Sequence, residues 1–191
     1  MIKLRDLAGV RDCDFHELSP CGAAWNTLAA RAQNYTMTRA QRLAEAIERS
    51  VSGPMWHGPS LADLLGDMPH TDAAARPVRT GHSIWELVLH LTAWTEIVRT
   101  RLAPTEPPEP TPEMDWPPVR DTSAEAWRAA VQSLKDAHRD LAADVAELSD
   151  DALKARVAGK DHPVTVMIHG IIEHDAYHGG QIAVLKRALE S

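Results

Sequence analysis

His174 and His178 stand four residues apart in IHGIIEHDAYHGGQI, a spacing that stacks two imidazoles on one face of a helix. His90 follows Leu87 by three residues and precedes Trp94 by four, so it points along the apolar face of a separate helical segment. Three imidazoles thus aim into one interior. A buried imidazole needs partners, because an unpaired polar group in a core costs roughly 1–3 kcal/mol. One divalent ion satisfies several at once, and neutral imidazole is a good ligand for zinc, nickel, copper or iron. Three neutral ligands would leave the ion its positive charge and at least one open position, as catalytic sites do. A water or thiol bound there would lose its proton more readily, and a substrate carbonyl would be polarised. The alternative is three core histidines held by ordinary hydrogen bonds. Ten histidines in 191 residues give about 0.5 four-apart pairs by chance, so spacing alone does not choose between the readings.

Several neighbours carry chemistry of their own. Glu86, one turn before His90, suits a proton shuttle, yet its spacing from Ser83 is that of a capping box. Gln181 shares the face of His174 and His178 and either hydrogen-bonds a ligand or packs at the bundle end. Glu173 and Asp175 point about 100° to either side of His174. One of them can orient a ligand imidazole, but solvated surface charge is the expectation for both. His138 is expected as a satisfied core histidine, with a fourth metal nitrogen as its alternative. Trp94 reads as core or as the wall of a pocket. Trp56 and His57, in a loop bounded by glycine and proline, border the site mouth or anchor the loop. Cys13, His16 and Cys21 match no zinc spacing. His16, His57, His70, His82, His162 and His169 are expected to need no special role.

Four amphipathic helices must position these groups. The first starts at Thr38, with Gln41 at capping-box spacing, and buries Ala40, Leu43, Ala44, Ile47 and Val51 before Gly53–Pro54 stops it. Residues 52–81 read as a structured joint with one short helix near Leu61–Leu65. The second helix begins at Ser83 with Glu86 as its partner and carries Ile84, Leu87, Leu91, Trp94 and Val98. Residues 103–122 hold seven of the 13 prolines and five carboxylates, which predicts an extended crossover with no helix or central strand. Thr122 and Glu125 are expected to cap the third helix, whose stripe runs Trp127, Val131, Leu134, His138, Leu141, Val145 and Leu148. LSDDALKARVAGKDH reads as a polar connection. The fourth helix follows Pro163, tolerated in a first turn, through Met167, Ile171, His174, His178, Ile182 and Leu185. No segment alternates with a period of two. The expected fold is therefore all-α, a four-helix bundle with long crossover connections rather than simple up-down order.

Residues 1–36 are expected as an N-terminal extension of unknown role, with a helix near 23–33, and residues 37–191 as the bundle domain. The balance of 27 acidic to 20 basic residues gives a net charge of −7 and no footprint for nucleic acid or an anionic membrane. No apolar run approaches the ~20 residues of a membrane helix. Charges stand where a signal peptide would be apolar, and two cysteines imply no disulfide framework, so a reduced cytoplasm is the expected home. No phosphate loop or nucleophile elbow occurs. Homodimerisation through Trp25, Trp116 or the extension stays open.

GHSIWELVLHLTAW (81–94) and IHGIIEHDAYHGGQIAVLKRAL (168–189) resemble the two signature helices of the DinB/YfiT-like superfamily of metalloenzymes. GPMWHGPSL (53–61) resembles the stretch after the first helix in a subgroup. The resemblance spans about 37–190, and Met37 would be a natural family start, which leaves the preceding residues as an extension or an over-long reading frame. It implies a four-helix bundle and a divalent metal on His90, His174 and His178, with Gly180, Gln181 and Ile182 completing the motif. Zinc is the first expectation, with nickel, iron or manganese as alternatives. It further implies either a transferase or isomerase using a low-molecular-weight thiol as co-substrate (bacillithiol, mycothiol or glutathione), or a metal-dependent hydrolase of a small molecule. A metal-stabilised, stress-related binding or scaffold bundle without catalysis is the rival from another class.

Overall fold

The structure, a computed structural model, describes residues 37–190. The readings that fall on residues 1–36, including Cys13, His16, Cys21, Trp25 and the helix near 23–33, lie outside the described residues. Eight helices are present among the described residues: α1 (Arg39–Ser52), α2 (Leu61–Leu65), α3 (His70–Ala74), α4 (Ile84–Thr100), α5 (Pro112–Asp115), α6 (Ala124–Ala146), α7 (Asp150–Lys154) and α8 (Val164–Leu189). No strand occurs among them beyond two isolated bridges. The fold is all-α.

The long helices begin where the chain supplies acceptors for their unpaired first-turn N–H groups. Thr38 with Gln41 and Ser83 with Glu86 form reciprocal capping boxes, and Gly53 caps the end of α1. Three expectations are corrected. The cap of α6 is Ser123, which accepts from the Ala126 N–H, rather than Thr122 with Glu125. Asp121 accepts from both the N–H and the hydroxyl of Ser123 and so fixes it as cap, while the Thr122 carbonyl is within 2.9 Å of His70 Nδ1. The proline-rich segment does contain a helix: Thr111 caps the single turn of α5, and Pro112 stands at its start, where a missing N–H is no loss. The connection after α6 is not merely polar, since α7 forms there and Leu153 and Val157 are buried in the core. The short helix read near Leu61–Leu65 is present as α2, marked by its leucines, whereas α3 has neither an apolar run nor a side-chain cap and was not anticipated.

The apolar stripes meet in two core clusters. One contains Leu43, Ile47, Val98, Leu141, Val145, Ile168 and Ile171. The other contains Val51, Ile84, Leu87, Leu91, Trp127, Leu134, Ile182 and Leu185. Following each helix through them gives its direction: α1 and α8 run from the first cluster to the second, α4 and α6 the opposite way. α6 packs between α1 and α4, and α8 packs against both α1 and α4. The neighbours α4 and α6 are therefore parallel, and parallel neighbours cannot be joined by a tight turn. Residues 103–122 must return along the length of α4, passing its midpoint, where His90 stands.

Between the two clusters, and apart from His90 and His178, the four long helices bring together the buried polar side chains Ser50, Thr95, His138 and Asp175. His138 Nδ1 donates to the Leu134 carbonyl at 2.9 Å, and Nε2 donates to the Asp175 carboxylate at 3.1 Å. Ser50 Oγ donates to the same carboxylate at 2.6 Å, and Thr95 Oγ1 lies 3.2 Å from His138 Nε2. His138 is a satisfied core histidine. Asp175 departs from the expectation of surface charge, being 1% exposed, while Glu173 is exposed. Burial works against a charge on His138, but the facing Asp175 carboxylate and its hydrogen bonds hold the pKa above the ordinary histidine value. Removing one member of such a pair strands the other. Asp175→Ala is expected to lower unfolding free energy by about 3–5 kcal/mol in urea titrations. A loss below about 1 kcal/mol would show that the pair is not buried as described.

Candidate metal centre

His90 on α4 and His174 and His178 on α8 form the one group of three metal-ligating side chains found among the described residues, with ligand atoms within 4.8 Å of one another. His90 and His178 are buried and His174 is partly so. The Nε2 atoms of His90 and His174 lie 3.1 Å apart, a separation that two nitrogens ligating one ion at roughly 2.0–2.1 Å can span. Two of the three rings are oriented from behind. His90 Nδ1 donates to the Asp115 backbone carbonyl at 2.7 Å, and His178 Nδ1 donates to Gln181 Oε1 at 2.8 Å. Each bond places the proton on Nδ1 and leaves Nε2 with its lone pair, as ligated histidines require, and for His90 that nitrogen faces His174. Nδ1 of His174 is the one buried side-chain polar atom among the described residues without a hydrogen-bond partner.

The crossover completes the surroundings of His90. The Trp116 ring stacks on it at 3.9 Å between centroids and 9° between planes. The other face of Trp116 stacks on His82 at 3.6 Å and 7°. Asp115 Oδ1 accepts from Trp94 Nε1 at 2.7 Å and lies 3.3 Å from His90 Nδ1. All three cluster histidines are held below their ordinary pKa. For His174 the value falls to about 4, through burial first and then the neighbouring His178 and His90. Burial is also the leading cause for His90 and His178, opposed by the Asp115 carbonyl and by Gln181 respectively. Neutral rings with converging lone pairs suit a divalent cation.

The family model for the DinB superfamily matches residues 56–182, a span that contains all three histidines. The chain belongs to the DinB superfamily. Searches of curated proteins and of solved structures returned no match. Family and histidine group together are compatible with a bound divalent metal.

The remaining sequence-derived candidates of this DinB superfamily chain fall in different places. Gln181 is in contact with the cluster through His178. Glu86 serves the Ser83 capping box and pairs with Arg76. Trp94 lies edge-on to His90 at 6.3 Å and walls a cavity of about 570 Å³ that reaches His90 and His174. Trp56 is fully exposed, and the recess it shares with His57 contains none of the three cluster histidines. Trp116 is committed to the His82–His90 stack, and His82 has a role that spacing did not suggest. Asp115 and Trp116 were the residues missed. A lone tryptophan in a proline- and acid-rich segment was their available signal.

Two outcomes follow from this geometry. Trp116→Ala removes the plate behind His90 and is expected to weaken zinc binding by about 10–100-fold in competition titrations with a chelating dye; unchanged affinity would rule out that role. Between pH 6.5 and about 4 the unfolded chain takes up a proton that folded His174 refuses, so acid favours unfolding. Metal-free protein is expected to lose up to roughly 3 kcal/mol across that window through His174. His138 acts in the opposite sense, stabilising below its unfolded pKa and less as pH rises through its raised one, so His174→Phe serves as the reference. Identical pH profiles of urea midpoints for wild type and His174→Phe would contradict the account.

Proposed function

We propose that the protein is a metalloenzyme in which His90, His174 and His178 hold one divalent cation, zinc first among the candidates. The reaction proposed is activation of a low-molecular-weight thiol, or of water, for attack on a small electrophile. The observation that carries the reading is the cavity of about 570 Å³ beside the cluster, lined by His90 and His174 themselves. A site serving only stability would be closed by protein ligands.

Bound there, the cation supplies Lewis acidity and lowers the pKa of a thiol or water. The chain supplies the rest. The Asp115 carbonyl and Gln181 keep protons on the outer nitrogens of His90 and His178, so that the inner lone pairs stay available. Burial keeps the rings neutral at physiological pH. Trp94, Met167 and Ile171 line the approach and give it apolar walls.

Zinc-loaded protein assayed with a panel of low-molecular-weight thiols and monochlorobimane is expected to show turnover that falls by more than about a hundredfold in His174→Ala. Equal turnover by the two proteins would refute thiol activation at this centre. Turnover of esters or amides in place of bimane conjugation would assign water as the nucleophile. Loss of most of the cooperative melt on chelation, with no turnover of either kind, would instead favour a metal that only stabilises the bundle.

A further inference from the structure

We infer that the cavity beside His90 and His174 binds an organic carboxylate through Arg101, with the apolar part of the molecule against Trp94 and its reactive end toward the histidines. This names a substrate class for the proposed centre and rests on that reading for the chemistry, though not for the binding.

Arg101 caps the C-terminal end of α4 and lines the same cavity as His90, Trp94 and Val98. The cavity thus runs along one face of α4 from the histidines to a guanidinium. Its walls are largely apolar, with Trp94, Val98, Met167 and Ile171 contributing. Arg101 is the one lining side chain whose positive charge does not depend on pH; the other basic groups are the histidines His90, His162 and His174, and Asp115 is the acid. Asp115 does not neutralise the far end, because its carboxylate accepts from Trp94 Nε1 and lies against His90.

The Arg101 side chain is only 12% exposed, and its guanidinium carbon lies 5.9 Å from the centroid of the Trp94 ring. A guanidinium presents five N–H donors in a fork that two carboxylate oxygens fill. Here it has one side-chain hydrogen bond, at 3.3 Å to Glu109, whose own side chain is 63% exposed. Glu109 is shared, since Lys160 pairs with its other oxygen. Gly159 adopts a positive φ of 71° and packs against the Glu106 carboxylate, so the two joints meet closely here. Most of the donor capacity of a largely buried arginine therefore faces a cavity, with a tethered surface carboxylate as its weak occupant. An entering carboxylate would take the fork and release Glu109 to Lys160. The Trp94 ring lies 5.9 Å from the Arg101 guanidinium carbon and 6.3 Å from the His90 ring, so the two ends of such a ligand lie on the order of 10 Å apart.

Calorimetric titration of full-length, metal-free protein with phenylacetate and with its neutral counterpart phenylacetamide tests the inference. The acid is expected to bind at least tenfold more tightly than the amide. Arg101→Met should abolish that preference. Glu109→Gln, which removes the competing carboxylate and keeps the shape, should strengthen acid binding several-fold and leave the amide unchanged. A preference for the acid that survives Arg101→Met, or no binding of either probe at millimolar concentration, overturns the inference. A preference that appears only with zinc, is lost in His174→Ala and persists in Arg101→Met would place the anion on the metal, overturning this inference and supporting the metal reading. An Arg101-dependent preference in a protein that takes up no zinc would leave this inference standing and remove the metal reading.

Discussion

Three neutral imidazoles converge inside a helical bundle, and the rest of the site is arranged around the need to satisfy their nitrogens. Desolvation keeps the rings uncharged and thereby supplies lone pairs rather than positive charge. Outer protons are anchored on a backbone carbonyl for His90 and on a side-chain amide for His178. Without a shared cation, one Nε2 must donate to another across 3.1 Å, and His174 is left with an orphaned Nδ1. The converging Nε2 lone pairs cost stability unless something binds them.

The second dependence is topological. Because α4 and α6 are parallel neighbours, the chain between them returns along α4, and that return carries Asp115 and Trp116 to His90. A sequence that would be a passive linker in an up-down bundle becomes part of the site. Prolines suit this task, since they hold the strap extended without demanding backbone partners. The same strap carries Glu109 to Arg101 at the outer end of the cavity. Opposite the histidines, the Ser50–Thr95–His138–Asp175 layer ties all four long helices together. Asp175 directly follows His174, so one turn of α8 serves both the polar layer and the cluster.

The bundle was legible in sequence where periodicity was long and caps were local. Thr38–Gln41 and Ser83–Glu86 mark helix starts within the span of four residues, and the stripes of α1 and α6 name most of their buried residues. The convergence of His90 with His174 and His178 was legible as shared apolar faces, and the DinB-like helices gave it a partner motif. Of the four short elements, α2 was legible from its apolar LADLL run, whereas α3, α5 and α7 carry no such run and were not. Nor was the burial of Asp175. A carboxylate between two apolar faces looks solvated until its partners, 37 and 125 residues away, are placed beside it. Asp115 and Trp116 were hidden for a related reason, since their role depends on the path of a crossover and not on local pattern.

The central claim is that the converging nitrogens are a metal site. It is tested most directly by crystals of zinc-loaded protein measured on both sides of the zinc absorption edge. The account predicts one strong anomalous peak among the imidazole nitrogens of His90, His174 and His178, with at least one coordination position facing the cavity walled by Trp94. Zinc bound elsewhere on the chain, or a cluster that stays empty in saturating zinc with His90 Nε2 still against His174 Nε2, would contradict it.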